Sequence, residues 1–173
     1  VETAIAAAAG VASEAAALPA HVRAEALEHV RRRLDEEAET CAELITAESG
    51  KPIAWARVEV QRAVSTFRWA AEEARRFSGT LQRLDTDETA EGRMAIARRF
   101  PRGPLLGISP FNFPLNMGAH KVGPAIAAGC PIVVKPAPAT PLSALHLGAL
   151  FSEPALPPPL ASGLPVPPPR PRP

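Results

Sequence analysis

Asn112 and Lys135 are the two side chains that residue type and spacing mark for chemistry. One is a neutral amide that can donate to a developing negative charge. The other is a compact cation on a flexible stem. Both fall within Pro104 to Pro138, which reads PLLGISPFNFPLNMGAHKVGPAIAAGCPIVVKPAP. Leu105 to Ser109 is short, apolar and closed by Pro110, which predicts a buried strand. Pro114 suits a first helical turn, where its missing N–H has no partner to lose. Leu115 to Ala128 follows as the helix, and Gly129 fits its C-terminal stop. Ile132 to Val134 is β-branched throughout and predicts a second buried strand. Strand, helix and strand make a right-handed parallel crossover. Asn112 then lies just past the C-terminal end of the first strand and Lys135 at that of the second. Open parallel sheets bind ligands in the crevice outside those ends. Two readings remain at this point: a site, or a turn-forming Asn beside a solvated strand end.

Three motifs go further. SPFNFP at Ser109 to Pro114, VVKPAPATPLSAL at Val133 to Leu145 and ESGKP at Glu48 to Pro52 occur in one register. Together they resemble the aldehyde dehydrogenase superfamily, over about Val1 to Phe151. The resemblance implies NAD(P)-dependent oxidation of a small-molecule aldehyde to a carboxylic acid. It implies that Asn112 supplies a side-chain N–H to the oxyanion hole, where a preorganised donor is worth roughly 3–4 kcal/mol. It also implies that Ser109, Pro110, Phe111 and Asn112 line the nicotinamide side of the cofactor. Lys135 would contact the adenosine ribose or its 2′-phosphate, with Ala137 and Pro138 beside it. Phe111 replaces a Trp that is commoner in this motif. Pro138 stands where many NAD-preferring relatives carry Glu, so NAD and NADP both remain open. ESGKP is expected to be structural, linking two packed helices.

The family's nucleophilic Cys and general-base Glu lie downstream of the Lys135 position and match nothing here. Cys41 falls on the apolar face of a predicted helix, and Cys130 at a tight helix-to-strand turn. Both read as buried structural residues. The expectation is therefore an N-terminal fragment that is inactive alone. The chain also begins with Val1 inside a helical pattern, which adds an expected truncation at the front. The alternative is an interaction module acting through its Pro-rich tail.

Composition is that of a globular protein: 46% hydrophobic and 21% charged residues, with a net charge of +1. That charge offers no field for nucleic acid or a membrane surface. Two cysteines make no disulfide framework, and nothing suggests a metal site. No signal peptide or membrane span is legible, so a cytoplasmic location is expected.

The elements that must carry the site are mostly helical. Val1 to Ala17 has helical apolar spacing, weakened at Gly10 and ended by Pro19. Val22, Ala26, Val30, Leu34, Ala38, Cys41 and Ile45 mark a long second helix that stops near Gly50. A third runs from Pro52 on the stripe Val60, Ala63, Val64, Phe67, Ala70, Ala71, Ala74 and Phe77. Arg31 to Arg33 each precede a carboxylate by four residues, which predicts weak ion pairs with Asp35, Glu36 and Glu37. Candidate strands at Leu81–Leu84 and Met94–Phe100 make a hairpin over 81–100. In the resembling family this hairpin pairs with another subunit, so a homo-oligomer is expected at full length. Thr140 is expected to cap a helix over Thr140 to Phe151, with Pro141 in its first position. His120 and His146 are partly exposed helix residues with no assigned role.

The predicted fold is thus α/β: a partial Rossmann-like parallel sheet in residues 1–153, preceded by helices and a β-hairpin. Residues 154–173 hold ten of the 21 prolines and read as a polyproline II or disordered tail. The next strand of the sheet falls here and is not expected to form well. PVPPPRPRP resembles a ligand for a groove-type recognition domain, although a frameshifted end of a GC-rich frame fits the composition better.

Overall fold

The computed structural model describes residues 1–153 and 161–163, so the Pro-rich tail reading otherwise lies outside the described residues. The front of the chain is helical: α1 (Glu2–Gly10), α2 (Ala12–Ala17), α3 (Ala20–Glu36), α4 (Ala38–Ser49) and α5 (Ile53–Arg76). Two predicted helices are each broken in two. The first breaks at Val11, just after the helix-weakening Gly10. The second breaks at Glu37, which carries no sequence signal for it. A continuous helix from Ala20 to Ser49 would run about 45 Å. That overshoots α5, at about 36 Å, on which both α3 and α4 pack. The break keeps Leu27, Val30 and Leu34 of α3, and Cys41 and Ile45 of α4, buried.

The predicted stripe of α5 is present: Val60, Ala63, Phe67, Ala70, Ala71 and Ala74 are buried. Its last member, Phe77, lies past the helix end and is exposed. The core closes on Leu115 and Ile126 from the crossover helix and on Leu147, Leu150 and Phe151 beyond it. The Phe67 and Phe151 rings meet at 5.7 Å between centroids. Each fully buried side chain of this size stabilises by roughly 1.5–3 kcal/mol.

The hairpin consists of β1 (Gly79–Arg83) and β2 (Met94–Arg98), antiparallel, with Leu81 opposite Ile96. Leu81, Met94, Ile96 and Phe100 are all exposed, since no described element covers this two-stranded sheet. The second sheet is parallel, in the order β3 (Leu105–Ile108), β4 (Ile132–Lys135) and β5 (Ala161–Gly163). α6 (Pro114–Ala127) and α7 (Leu142–Leu150) follow β3 and β4. As predicted, Pro114 opens α6, and Gly129 ends it with φ of 76°.

Two strand expectations are corrected. β5 does form, pairing Ala161 with Ile132 and Gly163 with Val134. Its three residues contain no proline, so the ladder is not interrupted there. β3 is not buried: Leu105, Leu106 and Ile108 are exposed and only Gly107 is covered. β3 is the edge of this sheet, so its apolar faces await packing that the described residues do not supply.

The Arg run is also rearranged. Arg33 gathers Glu37, Glu36 and the distant Glu153, while Arg31 turns back to Glu28. Glu153 is held below the usual carboxylate range by its hydrogen bonds from Arg33 and then from His29. Asp35 is not paired with Arg31.

Candidate functional site

The register of the parallel sheet sets Ile108 opposite Lys135, and the Ser109 amide donates to the Lys135 carbonyl at 3.0 Å. The loops after β3 and β4 therefore leave the sheet side by side. Ser109, Pro110, Phe111 and Asn112 lie on the first, and Ala137 and Pro138 on the second. All of the predicted site residues thus share one edge. Phe111, Asn112 and Pro138 are exposed, whereas Ser109 and Ala137 are buried. The Thr140 hydroxyl reaches the Phe111 carbonyl at 3.4 Å and ties the loops together.

That contact corrects an expectation. Thr140 does not cap α7, because its hydroxyl is turned to the other loop. Pro141 is the N-cap position and supplies no side-chain bond. The cap comes from Glu48, which accepts from the amides of Leu142 at 2.7 Å and Ser143 at 3.0 Å, and from the Ser143 hydroxyl. α6 is built the same way. Its own N-cap, Phe113, supplies no bond. Glu59 of α5 accepts instead from the amides of Leu115 at 3.0 Å and Asn116 at 3.1 Å. A carboxylate at a helix N-terminus satisfies orphan donors and opposes the positive end of the dipole. Here both carboxylates come from the α4–α5 pair across the fold. Glu48→Ala is expected to lower stability by about 0.5–2 kcal/mol, read from the urea unfolding midpoint. An unchanged midpoint would mean that α7 does not depend on this cap.

Glu59 is fully buried and is paired with Lys51, whose ammonium contacts its second oxygen. Lys51 also donates to the Asn112 carbonyl at 2.9 Å and sits 4.1 Å from the Phe113 ring centroid. Gly50, at φ of 71°, ends α4 and turns the chain so that Lys51 points inward. ESGKP is therefore structural in the sense expected, and it also grips the backbone of the candidate oxyanion residue. Glu59 escaped the sequence reading, although a signal existed: an acid stands in a buried stripe, three residues after Ala56 and four before Ala63.

Cys41 and Cys130 are both buried. Burial, and secondarily the Glu37 carboxylate, push the Cys41 thiol up to about 11, so it stays protonated near neutrality. The buried Ser109 hydroxyl, by contrast, has no hydrogen-bond partner among the described residues. Lys135 makes no ion pair among them either. A buried orphan hydroxyl and an unpaired cation at one crevice fit a polar, anionic ligand such as a dinucleotide.

A groove of about 950 Å³ lies between α5 and α6, lined in part by Arg62, Trp69, Asn116, Met117 and His120. No motif in the sequence marks Arg62, Asn116, Met117 or His120.

The sequence pattern of the aldehyde dehydrogenase family matches residues 1–167. The chain belongs to that family. It is similar to aspartate-semialdehyde dehydrogenase 1 of Pseudomonas canavaninivorans, with 43% identity over 142 residues, which is 82% of this chain and 30% of that one. It is 44% identical over 119 residues to 3-sulfolactaldehyde dehydrogenase of Priestia aryabhattai, covering 69% of this chain and 25% of that one. Among solved structures, aldehyde dehydrogenase 21 of Physcomitrella patens, in complex with the reaction product succinate, superposes with a TM-score of 0.91 at 48% identity. That match covers 95% of this chain and 34% of the other. PnpE in complex with NAD matches at a TM-score of 0.85, with 33% identity over 94% of this chain and 32% of that one. Glyceraldehyde-3-phosphate dehydrogenase GapN of Methanocaldococcus jannaschii, with NADP, matches at 0.87, with 32% identity over 94% of this chain and 35% of that one. The chain thus spans about a third of the length of the solved members and 25–30% of these curated ones.

Proposed function

We propose that this chain is the N-terminal part of the cofactor domain of an NAD(P)-dependent aldehyde dehydrogenase, oxidising an aldehyde to a carboxylic acid. The observation that carries this reading is the crevice edge, where Asn112, on a backbone gripped by Lys51, stands beside Lys135. The amide of Asn112 donates to the carbonyl oxygen of the substrate as charge develops on it. Lys135 holds the ribose or a 2′-phosphate of the cofactor. Ser109 offers its orphan hydroxyl from the floor of the crevice. When bound, the nicotinamide accepts the hydride that the aldehyde carbon loses. The chain alone is inactive, because neither Cys41 nor Cys130 occupies the crevice. The exposed hairpin pairs with a second subunit, and the assembly works in the cytoplasm. The test is whether the full-length protein produces reduced nicotinamide from aldehydes. Absence of reduction with either cofactor, across aldehydes of different size and charge, would overturn the reading.

Cofactor choice follows from Pro138, which is exposed three residues beyond Lys135. Pro138→Glu places a carboxylate beside the ribose. It is expected to raise KM for NADP by about tenfold, roughly 1.4 kcal/mol, while KM for NAD changes little. Equal effects on both cofactors would separate Pro138 from the ribose.

A further inference from the structure

We propose that Glu37, Cys41 and His146 bind one zinc ion, which staples the break between α3 and α4 to α7. None of the three lies on the crevice loops, and the site does not depend on the reaction assigned there. Among the described residues, a carboxylate oxygen of Glu37, the Cys41 sulfur and a ring nitrogen of His146 all lie within 4.8 Å of one another. Zinc bonds of about 2.0–2.3 Å set the ligand atoms of a tetrahedron roughly 3.3–3.8 Å apart. The three side chains therefore need to shift by no more than about 1 Å to share one ion.

The fold assembles the set from two places. Glu37 is the residue at the break and the N-cap position of α4. The Cys41 amide donates to the Glu37 carbonyl at 2.9 Å, so the first turn of α4 puts carboxylate and thiol on one face. α4 packs against α7, which brings His146 to that turn. His146 lies more than a hundred residues after the other two, so no ligand spacing is legible in the chain.

The His146 ring points to a ligand. Its Nε2 is shut off from solvent and makes no hydrogen bond among the described residues, although a Glu37 oxygen stands 3.0 Å away. The two atoms are close but out of hydrogen-bond alignment. Donor atoms that approach side by side in this way converge on a third centre, as the ligands of one ion do. The other Glu37 oxygen is held by Arg33, the kind of outer contact that orients a metal ligand. Arg33 leaves no excess positive charge here, because it is shared among Glu36, Glu37 and Glu153. A dication supplies the counter-charge that a Cys41 thiolate needs beside Glu37.

The donor types select the metal. Thiolate, imidazole and carboxylate together suit zinc, whereas magnesium and calcium take oxygen ligands. Three protein ligands leave a fourth position for water. The Glu37 and His146 side chains are 25% and 27% exposed, which gives the ion a path in, while Cys41 is 2% exposed. Binding forms a zinc–sulfur bond and releases the thiol proton to solvent, with no change of oxidation state.

The test uses the full-length protein, stripped with a chelator, and its Cys41→Ser and His146→Gln variants, with circular dichroism to check the fold. In equilibrium dialysis the wild type is expected to hold one more equivalent of zinc than either variant. Loss of a ligand should weaken that equivalent by more than the 10–100-fold typical of an outer contact. Zinc should raise the wild-type Tm, because it binds only the folded state, and magnesium should not. Cobalt(II) in place of zinc should show a thiolate-to-cobalt charge-transfer band that Cys41→Ser diminishes. Reading each variant against the wild type removes the contribution of thiols elsewhere in the full-length protein. If Cys41→Ser loses its fold, His146→Gln, at a partly exposed position, carries the test. Equal zinc content in the wild type and His146→Gln, or a cobalt band unchanged in folded Cys41→Ser, overturns the site.

Discussion

Asn112→Ala in the full-length enzyme is expected to cut turnover by about 10²–10³-fold, with cofactor affinity nearly unchanged. The side chain is exposed at the crevice edge, so its loss leaves no buried cavity. Its backbone is held from below, by Lys51 on its own carbonyl and by Thr140 on that of Phe111. The loop therefore keeps its place when the side chain is shortened. In the proposed role, what disappears is one N–H donor to a charge that exists only in the transition state. An interaction of that kind lowers kcat and kcat/KM together and leaves ground-state binding alone. Steady-state kinetics with cofactor titration would show it. Turnover equal to wild type would remove Asn112 from the chemistry, and a matching loss of cofactor affinity would reassign it to binding.

Lys51→Met is expected to destabilise the fold by about 3–5 kcal/mol. The Glu59 side chain has no solvent exposure and that of Lys51 has 15%. Removing the ammonium leaves a buried carboxylate facing two helix amides with no counter-charge. It also takes the donor from the Asn112 carbonyl and the cation from the Phe113 ring. The double variant Lys51→Met/Glu59→Gln should recover part of the loss, since a neutral amide oxygen still accepts from Leu115 and Asn116 and no charge is stranded. Urea unfolding of the chain and both variants measures this. A Lys51→Met cost below about 1 kcal/mol, the scale of an exposed ion pair, would show that solvent reaches Glu59.

These contacts mark the boundary of what was legible. The β3–α6–β4 unit was legible because its punctuation is local: Pro114 at the first turn of α6 and Gly129 at positive φ after its end. The parallel direction of its two strands puts Asn112 and Lys135 on one edge without further information. The α5 stripe was legible for the same kind of reason, because burial along a single helix repeats with its own period. The caps were not. Thr140 is a good N-cap by type, and Glu48 became the cap only because α4 packs where its carboxylate reaches Leu142 and Ser143. Glu59 and its two amides are more than fifty residues apart in the chain. The break at Glu37 was hidden too, because α5's length sets it and no glycine or proline stands there.

By itself the sequence determined the family, the crossover unit and the edge on which Asn112 and Lys135 meet. The family follows from the resemblance carried by three motifs in one register, and the crossover unit and its edge follow from local dihedral preference, apolar period and the parallel direction of the two strands. The tertiary structure alone decided which carboxylates close α6 and α7 and that Lys51 grips the Asn112 backbone. Those arrangements join residues distant in the chain, and they arise only once the apolar faces of α3, α4, α5 and α6 have packed and set the helices in register.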